Sequence, residues 1–177
     1  MATRAESTAD EIDARALFEQ LYDSLYRYVY RLTGDGDAAD DVAQEAFVRL
    51  LREGPSGPKA PRPWLFRVAT NLVRDRARKV ERRGRLLNAH YHHGVALDGP
   101  DVELERCESV AAVRHVLDTL RPRDRQILLM REEGFAYREI ADVIGVDHRS
   151  VAMLMTRALR RFRAAFAASG VNDGPHD

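Results

Sequence analysis

No stretch of the 177-residue chain alternates apolar and polar residues with the period of two that a half-buried strand needs. The apolar residues instead return every three or four positions, which places them on one face of a helix. Leu17, Phe18, Leu21, Tyr22, Leu25, Val29 and Leu32 form the first such stripe, over a helix from Ala14 to Leu32. Thr33-Gly34-Asp35-Gly36 ends it, and Asp37 is expected to cap a second helix whose apolar set is Ala39, Val42, Ala43, Ala46, Phe47, Leu50 and Leu51. Its other face carries Asp40, Asp41, Gln44, Glu45 and Arg49. Residues 54–63 hold four prolines and two glycines, which predicts a rigid loop and not a helix. Trp64, Leu65, Val68, Ala69, Leu72 and Val73 then mark a third helix that runs out into Arg74-Asp75-Arg76-Ala77-Arg78-Lys79. Trp64, at the start of an amphipathic helix, is read as a packing residue.

The periodicity lapses after this helix, where Gly84, Gly94, Gly99 and Pro100 stand among polar residues. A second helical set follows, with Val110, Val113, Val116, Leu117 and Leu120, then Pro122 in the first turn of a helix containing Ile127, Leu128 and Leu129. Gly134 stops that helix, and the chain continues through 137–144, Gly145 and a basic helix from Arg149 to Phe166. These last two helices carry a helix-turn-helix pattern. Two short helices that cross steeply need a small residue at the crossing, here Ala141, and a turn residue tolerant of positive φ, here Gly145. Ile140, Ile144, Val146, Val151 and Leu154 occupy the apolar positions that lock such a pair. The second helix would then expose Arg149, Ser150, Ala152, Met153 and Thr156 to base edges in a major groove, with Arg157, Arg160, Arg161 and Arg163 toward phosphates.

The chain is therefore expected to be all-α, with two small helical domains joined by a flexible linker, the second a four-helix, winged-helix-like helix-turn-helix domain. The domains are placed at 14–80 and 108–167, the linker at 81–107, and flexible tails at 1–13 and 168–177. A length of 177 residues suits one or two domains.

Net charge is zero, with 28 basic and 28 acidic side chains, which on average would disfavour nucleic acid. The distribution reverses that conclusion. Residues 1–53 carry −6, 54–94 carry +8, 95–120 carry −4 and 121–177 carry +2. Within the last block, 148–166 holds five arginines and no acid. Two basic zones separated by acidic ones fit a protein with two partners of opposite character. No apolar run approaches the ~18 residues of a membrane span, and no apolar stretch follows the N-terminal Arg4, so neither membrane insertion nor a secretory signal is expected. Cys107 is the single cysteine, in keeping with a reducing compartment. His90, His92 and His93 with Cys107 match no established metal-ligand spacing and are read as polar linker. There is no phosphate-binding glycine loop, nucleophile elbow or paired-carboxylate constellation, so no cofactor, metal or catalysis is expected.

Two blocks together point to one family. The first runs from Phe18-Glu19-Gln20-Leu21-Tyr22 through Asp40-Asp41-Val42-Ala43-Gln44-Glu45-Ala46-Phe47 to Trp64-Leu65-Phe66-Arg67-Val68-Ala69-Thr70-Asn71-Leu72-Val73-Arg74-Asp75. The second runs from Leu120-Arg121-Pro122 through the helix-turn-helix. In combination they resemble an extracytoplasmic-function (group IV) bacterial sigma factor of the sigma-70 superfamily. The resemblance implies a transcription initiation factor that is not an enzyme. It would bind core RNA polymerase through the β′ clamp and β flap, with Asp40, Asp41, Gln44 and Glu45 on the clamp. Arg67, Asn71, Arg74, Arg76, Arg78 and Lys79 would hold the melted non-template strand of the minus-ten element. Arg149, Ser150, Ala152, Met153, Thr156, Arg157 and Arg160 would read the duplex minus-thirty-five element. An anti-sigma factor as partner and a cytoplasmic location, at the nucleoid when in holoenzyme, are further implications. The chain departs from the family at Ala152-Met153-Leu154, where a Lys-Ser-Arg-like triplet is common. Ala152 and Met153 could meet thymine methyls, or Met153 a protein partner. Two rival functions are a stand-alone helix-turn-helix regulator and a degenerate sigma homologue acting through protein contacts.

Overall fold

The computed structural model describes residues 14–53, 58–87 and 102–169. The chain divides into two compact units, Met1–His93 and Gly94–Asp177. The first contains α1 (Ala14–Thr33), α2 (Gly36–Arg52) and α3 (Pro61–Leu87). The second contains α4 (Val102–Thr119), α5 (Pro122–Glu132), α6 (Tyr137–Ile144) and α7 (His148–Ala168). Among the described residues there is no strand, so the architecture is all-α and the second unit carries no wing there. No described helix is long and apolar enough to cross a membrane. The tail 1–13, residues 54–57 of the proline loop, the middle of the linker and the tail from 170 onward lie outside the described residues.

In the first unit, Gly34 turns the chain at φ 75° after α1, and its N–H reaches the Tyr30 carbonyl at 2.7 Å. That turn delivers Asp35 in extended backbone at the mouth of α2. Asp35, and not Asp37, is the N-cap, its carboxylate accepting the Ala38 N–H at 3.1 Å. Asp37 lies within the first turn, where its charge complements the helix dipole. The third helix starts at Pro61, three residues before Trp64, because first-turn N–H groups need no partner and prolines there break no hydrogen bond. The first turn closes with Trp64 N–H on the Ala60 carbonyl at 3.2 Å. At its other end α3 continues to Leu87, well into the segment expected as linker, and α4 begins at Val102.

Leu21, Leu25 and Val29 of α1, Val42, Ala43, Ala46 and Leu50 of α2, and Leu65 and Ala69 of α3 are buried between the three helices. Two further residues stand at the centre of this core. Tyr28 and Phe66 are both fully buried, their rings 4.9 Å apart. Thr70 donates its hydroxyl to the Phe66 carbonyl at 2.7 Å, so the Tyr28 hydroxyl is the donor in its 2.9 Å bond to Thr70 Oγ1. Neither ring belongs to the stripes read from spacing. Each helix meets two others, so its buried arc is wider than one stripe. Trp64 is half-buried at the edge of this core.

In the second unit, α5 opens at Pro122 as expected, and Gly134 (φ 81°) turns the chain into the fully buried Phe135. Glu139 reaches back to accept the Ala136 N–H at 2.8 Å, half of a capping box, since Ala136 has no side-chain acceptor. Gly145 ends α6 in the left-handed region (φ 68°, ψ 50°) with its N–H on the Ala141 carbonyl at 2.9 Å. A Cβ there would meet no heavy atom within 4 Å, so glycine is required by the backbone angle and not by space. Asp147 then caps α7 by accepting the Arg149 N–H at 2.8 Å. Of the expected locking residues, Ile140, Ala141 and Val151 are buried, whereas Ile144, Val146 and Leu154 are half-buried at the rim. Val143, Met155 and Ala158 are buried too, as are Ile127, Leu129 and Met130 of α5, which packs against α6 and α7.

Candidate nucleic-acid and polymerase interface

The acidic face of α2 is a network. Asp40 is half-buried: the Tyr22 phenol donates to its Oδ1, and the Gln44 amide donates to its Oδ2 at 2.8 Å. Burial, followed by the hydrogen bond to Asp40 and that carboxylate's charge, pushes the Tyr22 phenol up to about 12. Asp40 is thereby held by α1 and by the helix that carries it. Asp41 is exposed and meets Arg76 Nη2 at 3.2 Å. Glu45 pairs with Arg49 at 2.9 Å, and that guanidinium holds its carboxyl below the usual range. The carboxylates of this face are thus balanced in part by cations of the same unit.

On α3, Arg67, Asn71, Arg74 and Arg78 are spaced by four, three and four, which puts them in one row, and all four are exposed. Arg76 lies on the opposite side. Its Nη1 donates to the Ala38 carbonyl at 3.2 Å and its Nη2 to Asp41, so it spans α3 and α2. Lys79 is exposed but off the row, and Arg78 Nη1 sits 3.7 Å from Asp75 Oδ1. The structure therefore gathers four of the six expected strand-contact residues and turns Arg76 toward the acidic helix.

On α7 the same spacing recurs. Arg149, Met153, Thr156 and Arg160 form one exposed row with Ala152 beside it, while Arg157 is exposed and Ser150 half-buried on its flank. Arg163 extends the row. Arg161 points the other way: its Nη1 meets Asp124 Oδ2 of α5 at 2.6 Å, and the Asp124 side chain is only 7% exposed. Arg161 is thus a structural residue and leaves the phosphate set in which its position on the helix had placed it. The partners that sequence reading missed, Tyr22 for Asp40, Arg76 for Asp41 and Asp124 for Arg161, lie 18, 35 and 37 residues away. No local signal spans such separations.

Among the described residues no group of three or more His, Cys, Asp or Glu could hold a metal. His90, His92 and His93 lie outside the described residues, and α4 carries Cys107, whose side chain lies outside them too.

Fold and site together define a two-domain, all-helical protein of the helix-turn-helix class, with cationic rows on α3 and α7 and an acidic face on α2. Comparison with known proteins narrows this class. Residues 17–83 match the family model "Sigma-70 region 2" and residues 111–162 match "Sigma-70, region 4". The chain is 31% identical to the ECF RNA polymerase sigma factor EcfG of Rhodopseudomonas palustris over 161 residues, 87% of this chain and 86% of that protein. It is 32% identical to the ECF RNA polymerase sigma factor SigE of Mycolicibacterium smegmatis over 154 residues, covering 83% of this chain but 59% of that one. Among solved structures, the sigma factor RpoE in complex with the anti-sigma factor NepR from Bartonella quintana shares the fold, with a TM-score of 0.73, 18% identity, and coverage of 88% of this chain and 97% of that one. The chain belongs to the ECF RNA polymerase sigma factor family. It spans well under two thirds of the length of several curated relatives, 59%, 60% and 54% of three of them.

Proposed function

We propose that this chain is a transcription initiation factor that binds core RNA polymerase and directs it to specific promoters, working in the cytoplasm and at the nucleoid by binding and strand capture without chemistry of its own. Residues 14–80 take the role of region 2. Exposed Asp41, with Gln44 and Glu45, meets a basic surface on the β′ clamp, and Asp40 supports that face from within its hydrogen bonds to Tyr22 and Gln44. The row Arg67, Asn71, Arg74 and Arg78 tracks the melted non-template strand of the minus-ten element, with Lys79 at its edge and Arg76 shared with α2. Residues 108–167 take the role of region 4, seated by the β flap and reading the duplex minus-thirty-five element with Arg149, Ser150, Ala152, Met153 and Thr156. Arg157 and Arg160 contact its phosphates. An anti-sigma factor as inhibitor fits the family, since the solved Bartonella quintana relative is bound to one.

One observation carries this reading: a region 2 match and a region 4 match stand in one chain, in that order. Run-off transcription with purified core polymerase on a library of promoter fragments is the test. Promoter-specific product that is lost in Asp41→Ala/Glu45→Ala and reduced in Asn71→Ala supports it. DNA binding with no product would favour a stand-alone regulator, and binding to protein partners alone a degenerate homologue.

A further inference from the structure

The exposed row of α7 has an unusual chemical order. Cations stand at its ends, Arg149 toward the N-terminus and Arg160 and Arg163 toward the C-terminus, and no acid occurs in 148–166. Its middle offers no free donor. Ala152 has no functional group, and Met153 is an apolar thioether 51% exposed. Thr156 commits its hydroxyl proton to the Ala152 carbonyl at 3.0 Å, so it presents outward a methyl group and an acceptor oxygen. The side chains that pack α7 onto its own unit, Val151, Met155 and Ala158, lie on the other face. Nothing in the fold itself therefore requires Met153 to be apolar.

A cationic frame around an apolar centre suits a polyanion that displays apolar groups between its charges. In the major groove of duplex DNA the only such group is the 5-methyl of thymine. We propose that Ala152, Met153 and the Thr156 methyl read thymine 5-methyl groups in the upstream promoter element, between the cations at the two ends of the row. This rests on the initiation-factor function above and adds to it the base identity that α7 selects. Recognition of this kind uses shape and dehydration of methyl groups where other recognition helices use hydrogen bonds, so it discriminates thymine from cytosine and from uracil.

The test uses the full chain reconstituted with core RNA polymerase. Duplexes are selected from a randomised DNA library, and the enriched upstream segment is resynthesised with deoxyuridine replacing thymidine, which removes only the methyl. The expected result is a loss of affinity of about four-fold for each contacted methyl, as for burial of one methyl-sized group. Met153→Gln, of similar length and on an exposed position, should weaken binding to the thymidine duplex and bring its thymidine-to-deoxyuridine ratio close to one. An enriched duplex bound equally in both forms by the wild-type protein would overturn the methyl readout while leaving the initiation function intact, and would point Met153 toward a protein partner. Failure to enrich any duplex would overturn both.

Discussion

In each unit an arginine–aspartate pair joins a helix with a cationic row to its neighbour, and the two pairs are built differently. Arg76 of α3 meets Asp41 of α2 at 3.2 Å with the side chains 43% and 68% exposed. Arg161 of α7 meets Asp124 of α5 at 2.6 Å with the carboxylate almost wholly buried. Water and salt screen the first pair, and exposed pairs of this type contribute about 0–1 kcal/mol. The second holds a carboxylate that has lost its water, and removing its partner leaves that charge uncompensated. The difference follows from what else holds each helix. The Tyr28–Phe66–Thr70 cluster already seats α3, so its place does not depend on the exposed Arg76–Asp41 pair. The interior of the second unit instead contains a charge, and Arg161 is committed to it.

The comparison is sharpest where that buried charge is exposed to loss. Arg161→Ala should destabilise the protein by about 1–3 kcal/mol, read as a lower urea midpoint with unchanged slope. Arg161→Gln combined with Asp124→Asn should recover part of that loss, since no charge is then stranded. A cost under about 0.5 kcal/mol, the size of an ordinary surface change, would erase the contrast. Next in size is Tyr28→Phe, which removes a buried donor from Thr70 and should cost about 1 kcal/mol in the same measurement.

A smaller effect is expected from pH. Tyr22 holds its proton to about 12, whereas an unperturbed tyrosine releases it near 10.0. As pH rises through 10.0 the unfolded chain ionises first, so the stability supplied by this phenol is complete below that value and is lost as pH climbs toward about 12. Tyr22→Phe should flatten the decline in stability over that window and remove one phenolate absorbance step from it. Retention of that step in the variant would assign it to another tyrosine.

The smallest change in stability belongs to Arg76→Ala, within about 0.5 kcal/mol of wild type, and a double-mutant cycle with Asp41→Ala should give a coupling of about 0.2–1 kcal/mol. A coupling above about 2 kcal/mol, a value typical of buried charged contacts, would place this pair with Arg161–Asp124 and end the distinction.

Much of the helical order was legible because apolar spacing of three and four survives any packing arrangement. The turns were legible where a backbone angle demands glycine, as at Gly34, Gly134 and Gly145. Helix starts were less so. Asp37 looked like the cap because it precedes the apolar stripe, yet the reversal at Gly34 brings Asp35 to that place. The prolines at 61 and 63 looked like loop residues until a helix was seen to begin among them. Of the candidate site, the rows Arg67–Asn71–Arg74–Arg78 and Arg149–Met153–Thr156–Arg160 follow from spacing alone. Which arginine leaves its row does not, because the partners of Arg76 and Arg161 lie 35 and 37 residues distant.

By itself, then, the sequence determined that this chain is helical, that it divides into two units, and that acid and base are segregated along it. Those properties reside in local spacing and in side-chain identity. Only the tertiary structure decided which charges remain available. Asp40 is held by Tyr22 and Gln44, Arg76 is shared with Asp41, and Arg161 is fixed on Asp124, whereas Arg67, Arg149 and Arg160 remain exposed on their helices. The physical reason is that a charge acts on a partner according to the water and counter-charge around it, and both are set by elements far away along the chain.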